Sequence, residues 1–215
     1  MIATAVTAAG VLGISSPALT IGRAAPQAVR IIRSGAAGVS VWTWIQAIFL
    51  AEVWGAYGFL FHVQAEVVTN IPGGVLALLV VILVGYRTGA TAKVLALTSA
   101  CSLAAAALII ASVAYGVPRV VSLVAVVGAL GLYVPQLVKL FRSPEIAGVS
   151  LASWQLALLG TISWIAYGIV VHKLPVVLPN VVMLPSSLAI VWRVGVLRRR
   201  ERLGDDGGCA SRLVA

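Results

Sequence analysis

Residues 164–168 read Trp164-Ile165-Ala166-Tyr167-Gly168, and Asn180 follows sixteen residues after the tryptophan. The same arrangement stands earlier in the chain: Trp54-Gly55-Ala56-Tyr57-Gly58, with Asn70 again sixteen residues on. A Pro-Gln pair precedes each copy, Pro26-Gln27 and Pro135-Gln136. A large indole and a polar amide, duplicated inside an apolar chain, point to a binding site built from two equivalent halves.

The duplication extends well beyond the motif. With Pro26 set on Pro135 and one extra residue allowed in the following loop, 18 of the 45 positions from Pro26 to Asn70 are identical. They include Arg33/Arg142, Gly38-Val39-Ser40 with Gly148-Val149-Ser150, Trp44/Trp154, Tyr57/Tyr167 and His62/His172. Shared oiliness accounts for matching valines and alanines but not for matching Trp, His and Asn, so this is an internal repeat.

Composition places the repeat in a membrane. The 215 residues are 61% hydrophobic and 10% charged, with a mean hydropathy of +1.08, where a soluble domain carries about 25% charged residues. The apolar runs are continuous and do not alternate, which indicates helices and not a barrel. Seven spans are expected at about 3–25, 39–61, 67–85, 94–116, 120–141, 149–171 and 174–192. Each is long enough for roughly 30 Å of hydrocarbon at about 1.5 Å per residue.

An N-terminus outside puts 13 of the 15 Lys and Arg residues on the cytoplasmic side, leaving Arg119 and Lys173 outside. The net charge of +9 is explained by this bias, with no need for nucleic acid as a partner. Cys101 lies mid-span and Cys209 in the tail, which argues against a disulfide framework. No basic region precedes the first apolar stretch, so it is expected to be a retained helix and not a cleaved signal peptide.

Spans 1–3 duplicate spans 5–7, and span 4 is unpaired. Three is odd, so the extra span makes both triplets run the same way through the bilayer. The expected fold is therefore an all-α membrane protein with two parallel three-helix repeats, residues 1–88 and 118–196. A linker helix lies within 89–117, and a basic, disordered cytoplasmic tail covers 197–215. A repeat interface at mid-membrane is where transporters commonly hold substrate.

The paired Pro-Gln motifs, Trp-x-x-Tyr-Gly, the Trp-to-Asn spacing and the 3+1+3 layout resemble the PQ-loop superfamily, and within it the SWEET sugar transporters. The resemblance covers about residues 8–196. It implies facilitative, bidirectional transport of mono- or disaccharides across the plasma membrane by alternating access, with Trp54, Asn70, Trp164 and Asn180 binding the sugar. An indole suits the apolar face of a sugar ring, and a carboxamide offers both donor and acceptor to hydroxyls. The resemblance also implies gate and hinge roles for Pro26, Gln27, Pro135, Gln136, Tyr57 and Tyr167. Plant members carry further prolines early in spans 2 and 6, where this chain has Trp42 and Ala152.

Other residues are weighed against plainer roles. Trp42, Trp44, Trp154 and Trp192 lie near span ends and read as interfacial belt residues. Glu52 lies inside a span about 200° around the helix from Trp54. It is the candidate proton-coupling group, but its counterpart is Ile162, and that asymmetry favours a structural hydrogen bond to another helix. Glu66 stands one turn above Asn70 at the outer mouth and is expected to pair with His62. Pro72, Pro179 and Pro185 flank the two asparagines unequally, so the halves are expected to bend differently.

No metal-ligand spacing, nucleophile–base set or phosphate-binding loop occurs, so no cofactor and no enzyme activity are expected. The alternatives are a proton-coupled PQ-loop transporter of amino acids or another small solute, and a peptide receptor of the KDEL-receptor kind. The first has only Glu52 for coupling, and the second needs a charged cavity that these spans do not supply. The expected partners are a small-molecule sugar and membrane lipid; a homo-oligomer is compatible with a chain that already holds both repeats, but not required by it.

Overall fold

The computed structural model describes the backbone of residues 2–34, 41–142 and 151–212, and the side chains of 7–22, 33, 41–131, 154–193 and 195–196. The described residues form seven helices: α1 Ile2–Ser34, α2 Val41–Leu60, α3 Gln64–Thr88, α4 Thr91–Ala114, α5 Arg119–Arg142, α6 Leu151–Val170 and α7 Leu174–Arg212. In water such helices would be marginal unless packed; in hydrocarbon they satisfy every backbone group within one segment. The segments Gln64–Thr88, Thr91–Ala114 and Leu174–Arg193 are long and apolar enough to cross a membrane. Large side chains such as Leu79, Leu103, Ile110, Leu159 and Val182 are exposed on the outer surface, as lipid contact requires.

The packing follows the duplication. α2 packs on α3 and α6 on α7; α1 packs on α3 and α6, while α5 packs on α7 and α2. Exchanging α1–α3 for α5–α7 maps every one of these contacts onto another. The linker helix α4 breaks the pattern, because it covers α2 and α3 and touches α5.

Both short turns between the second and third helix of a triplet have one design. His62 and His172 adopt left-handed backbone angles, φ 57 and 55. The Val63 N–H donates to the Gly58 carbonyl and the Lys173 N–H to the Gly168 carbonyl, each at 2.8 Å. These are the 6→1 bonds of a Schellman cap, with histidine in the position usually given to glycine. Histidine is among the residues that tolerate this region, which gives the repeated His a backbone role. The glycine of each Trp-x-x-Tyr-Gly copy is needed here too. A Cβ on Gly58 would lie 3.0 Å from Val63 O and Val67 N, and one on Gly168 would lie 2.7 Å from Val177 Cγ2.

Two helices run further than expected. α1 continues past Pro26 to Ser34, and α7 continues to Arg212, into the 197–215 segment read as disordered. An interior proline removes one hydrogen bond but need not end a packed helix in a membrane. Extending a helix already formed avoids the unfavourable nucleation step, and residues 196–203, Val-Leu-Arg-Arg-Arg-Glu-Arg-Leu, are mostly good helix formers.

Candidate functional site

The two motif copies meet in one core. Trp54, Tyr57, Trp164 and Tyr167 belong to a single buried cluster with Val63, Val121, Ala125 and Val176. Within each copy the i, i+3 spacing places the rings on one helix face. Trp54 meets Tyr57 edge-on at 5.4 Å and 85°, and Trp164 meets Tyr167 at 5.7 Å and 86°. Phe61 extends the stack beyond Tyr57 at 5.0 Å.

Beside this core lies a cavity of about 440 Å³. Trp54, Asn70, Trp164 and Asn180 all line it. Small residues make the room: Ala47, Ala51, Ala157 and Gly160 stand where larger side chains would fill the space. The cavity reaches to Trp44 and Trp154 at the N-terminal ends of α2 and α6. Toward the His62/His172 end, Tyr57, Tyr167, Val63 and Val176 pack closed. Lys173 spans that end, its Nζ donating at 2.9 Å to the Phe61 carbonyl at the end of α2. A cation is favoured at a helix C-terminus, where carbonyls lack intrahelical partners.

Trp44 and Trp154 therefore do not sit in an interfacial belt. Spacings of three, four and three residues put Trp44, Ala47, Ala51 and Trp54 on one face, and the same spacing joins Trp154 to Trp164. That periodicity and the Trp44/Trp154 match in the repeat were the signals available; depth near the span end pointed the other way. Trp42 and Trp192 are well exposed on the outer surface, 56% and 71%.

The carboxamides are held by their own helices. Asn70 Nδ2 donates to the Glu66 carbonyl oxygen at 2.8 Å and to Glu66 Oε2 at 2.9 Å. Asn180 Nδ2 donates to the Val176 carbonyl oxygen at 2.8 Å. Glu66 thus pairs with Asn70 and not with His62, because helix periodicity stacks residues four apart while His62 points outward from the turn. Glu66 is only 6% exposed and lines the cavity.

Glu52 is bonded to a neighbouring helix. Ser102 Oγ on α4 donates to Glu52 Oε1 at 2.6 Å, and Oε2 is buried without a partner among the described residues. Glu52 does not line the cavity. Its counterpart Ile162 is 48% exposed: α4 supplies a polar neighbour to α2 at Glu52, and the matching position on α6 faces outward.

The indoles differ as well. Trp164 Nε1 donates to Thr20 Oγ1 at 2.9 Å, and Thr20 donates in turn to the Ser16 carbonyl oxygen. Thr20 corresponds to Ala129 in the second half, so Trp54 faces no equivalent hydroxyl there. This inter-helix pairing left no trace in the identical positions of the repeat. Pro179 lines the cavity next to Asn180, and α7 runs through it unbroken. Pro26, Gln27, Pro135 and Gln136 lie on α1 and α5, but their side chains are outside those described.

Comparison with known proteins agrees with this arrangement. Residues 117–177 match the family model described as PQ loop repeat. A relative named sugar transporter SemiSWEET, from Escherichia coli (strain UMEA 3162-1), is 31% identical over 71 residues, covering 33% of this chain and 80% of the relative. Among solved structures, a eukaryotic SWEET transporter superposes with a TM-score of 0.75 at 14% identity, covering 86% of this chain and 94% of that one. The structural match shows the fold, and the relative, 31% identical over 80% of its own length, together with the PQ loop repeat match, shows that this chain belongs to the SWEET family of PQ-loop proteins.

Proposed function

We propose that the protein carries mono- or disaccharides down their gradient, in either direction, by alternating access. The observation that carries this reading is the single cavity lined by both tryptophans and both asparagines of the duplicated motif. Its volume, about 440 Å³, falls within the roughly 300–1,000 Å³ typical of small-molecule sites. Trp54 and Trp164 offer flat apolar faces to a sugar ring, and Asn70 and Asn180 offer polar atoms to its hydroxyls. The relative named as a sugar transporter supports that choice of cargo.

The two triplets, within residues 1–88 and 118–196, would rock about the cavity. Tyr57 and Tyr167 pack the His62/His172 end shut, which supports their gate role, and the Pro-Gln pairs would serve the opposite end as hinges. The bias of basic residues supports an N-terminus outside and a cytoplasmic C-terminus, and the plasma membrane is the proposed location. Proton coupling through Glu52 is disfavoured, since its carboxylate is bonded to Ser102 away from the cavity.

Purified protein in liposomes should take up labelled sugar to equilibrium without a proton gradient. Asn70→Ala and Asn180→Ala should each cut uptake at least about fivefold, since a lost hydrogen bond with its partner left buried costs roughly 1–3 kcal/mol. Full uptake in both folded variants overturns the site. Strict dependence on a proton gradient overturns the uncoupled mechanism.

A further inference from the structure

We propose that Glu66 is a specificity-determining residue: it turns Asn70 into a pure hydrogen-bond acceptor and so gives the two-fold site a polarity. The inference rests on the sugar-transport reading above. A carboxamide has two N–H donors and one carbonyl oxygen. At Asn70 both donors are used, one by the Glu66 carbonyl and one by Glu66 Oε2, at 2.8 and 2.9 Å. Two oxygen partners also fix which amide atom is nitrogen, because a flipped amide would set oxygen against oxygen. Only Asn70 Oδ1 is left for a ligand, and the Glu66 carboxylate beside it lines the same cavity.

The second half is built otherwise. Val176 stands in the position of Glu66, and Asn180 Nδ2 has one partner, the Val176 carbonyl, at 2.8 Å. Its second N–H has none among the described residues, so Asn180 presents a donor and an acceptor together. Glu66 itself lies in the first turn of α3, four residues before Asn70 on the same helix face.

A hydroxyl lodged at Asn70 must therefore donate its proton, whereas one lodged at Asn180 can donate or accept. A sugar that entered rotated by the pseudo-twofold would find different partners, so one orientation is favoured. Replacing a hydroxyl by fluorine keeps a weak acceptor and removes the donor; replacing it by hydrogen removes both. At the Asn70 contact the two replacements should be equally harmful, and at the Asn180 contact fluorine should be the milder.

The experiment is competition by monodeoxy and monodeoxyfluoro glucoses against labelled glucose uptake in liposomes. It compares the wild type, Glu66→Val and Glu66→Gln. In the wild type, one ring position should show both analogues competing about tenfold more weakly than glucose. In Glu66→Val, which installs the residue the other half already carries, the freed Asn70 N–H should restore the fluoro analogue there and not the deoxy one. Glu66→Gln keeps a side-chain acceptor for Nδ2 and should retain the wild-type ranking. A wild type that ranks fluoro above deoxy at every position overturns the inference without any variant. So does a Glu66→Val protein with wild-type ranking, or a Glu66→Gln protein that ranks as Glu66→Val does. Absence of uptake of glucose and of every other mono- or disaccharide by the wild type overturns the transport reading, and this inference with it.

Discussion

Removing the Ser102 hydroxyl should harm the fold more than removing the acid it serves. Glu52 Oε1 accepts from Ser102 Oγ at 2.6 Å, and Oε2 is buried without a partner among the described residues. In Ser102→Ala both carboxyl oxygens lack a donor while the group stays between α2 and α4. A buried polar group deprived of its partner costs roughly 1–3 kcal/mol. Taking about 2 kcal/mol and about 2–4 °C per kcal/mol for a chain of this size, Tm should fall by about 4–8 °C. Glu52→Ile removes an acid that is already half unsatisfied and installs the side chain found at position 162. The Ser102 hydroxyl can then bond back to a carbonyl of the preceding turn. Its stability should stay within about 1 kcal/mol of the wild type, about 2–4 °C in Tm, and the double variant should recover most of what Ser102→Ala loses. Thermal unfolding in detergent reads all four proteins. An unchanged Ser102→Ala, or a double variant no more stable than Ser102→Ala, refutes the reasoning.

Two further outcomes follow from the repeat. Gly58→Ala should destabilise by about 1–2 kcal/mol, because the overlap involves backbone atoms at 3.0 Å and outweighs the gain in helix propensity. Gly168→Ala should also destabilise, but by about 1 kcal/mol or less, since its backbone contact is longer, 3.3 Å, and its closest overlaps are with the Val177 and Val176 side chains; a Tm loss larger than that of Gly58→Ala would refute the distinction. Trp164→Phe should lower stability by about 1 kcal/mol more than Trp54→Phe, the difference being the bond to Thr20. In a Thr20→Val background that difference should vanish, and its persistence would show that ring packing alone separates the two.

The fold and the lining of the cavity were legible where chemistry was duplicated. Trp54, Trp164, Asn70 and Asn180 stand out because a repeat of rare residues in an apolar chain has no packing explanation, and all four share one cavity. Trp44 and Trp154 carried the same signal, but a tryptophan near a span end fits both a belt and a pocket, and only the three-dimensional face decides. The Thr20–Trp164 bond joins residues 144 apart in sequence, and nothing local marks it. The partner of Glu66 was a matter of register. His62 and Asn70 both lie four positions away, but the chain leaves the helix at His62, whose backbone turns left-handed.

The two joints between the halves are not copies of each other, and this asymmetry has a physical reading. On α1 and α6, Leu19 sits over Gly160, with 3.7 Å from its Cβ to a Cβ built on that glycine. On α5 and α2 the roles reverse, because a Cβ on Gly128 would overlap Leu50 Cδ2. Leu19 corresponds to Gly128 and Gly160 to Leu50, so knob and hole have changed sides while close approach is kept. The polar content differs more. The α1–α6 joint holds Ser16 and Ser163 at 2.7 Å, Ser15 and Ser163 at 3.2 Å, and the Thr20–Trp164 bond. The matching positions on α5 and α2 are Val124, Ala125, Ala129, Val53 and Trp54. Hydrogen bonds are directional and fail outside a narrow range of distance and angle, whereas apolar contacts change little as one surface slides over another. A rocking motion of the kind proposed would therefore pivot at the α1–α6 joint and slide at the α2–α5 joint, which α4 also buttresses from the side.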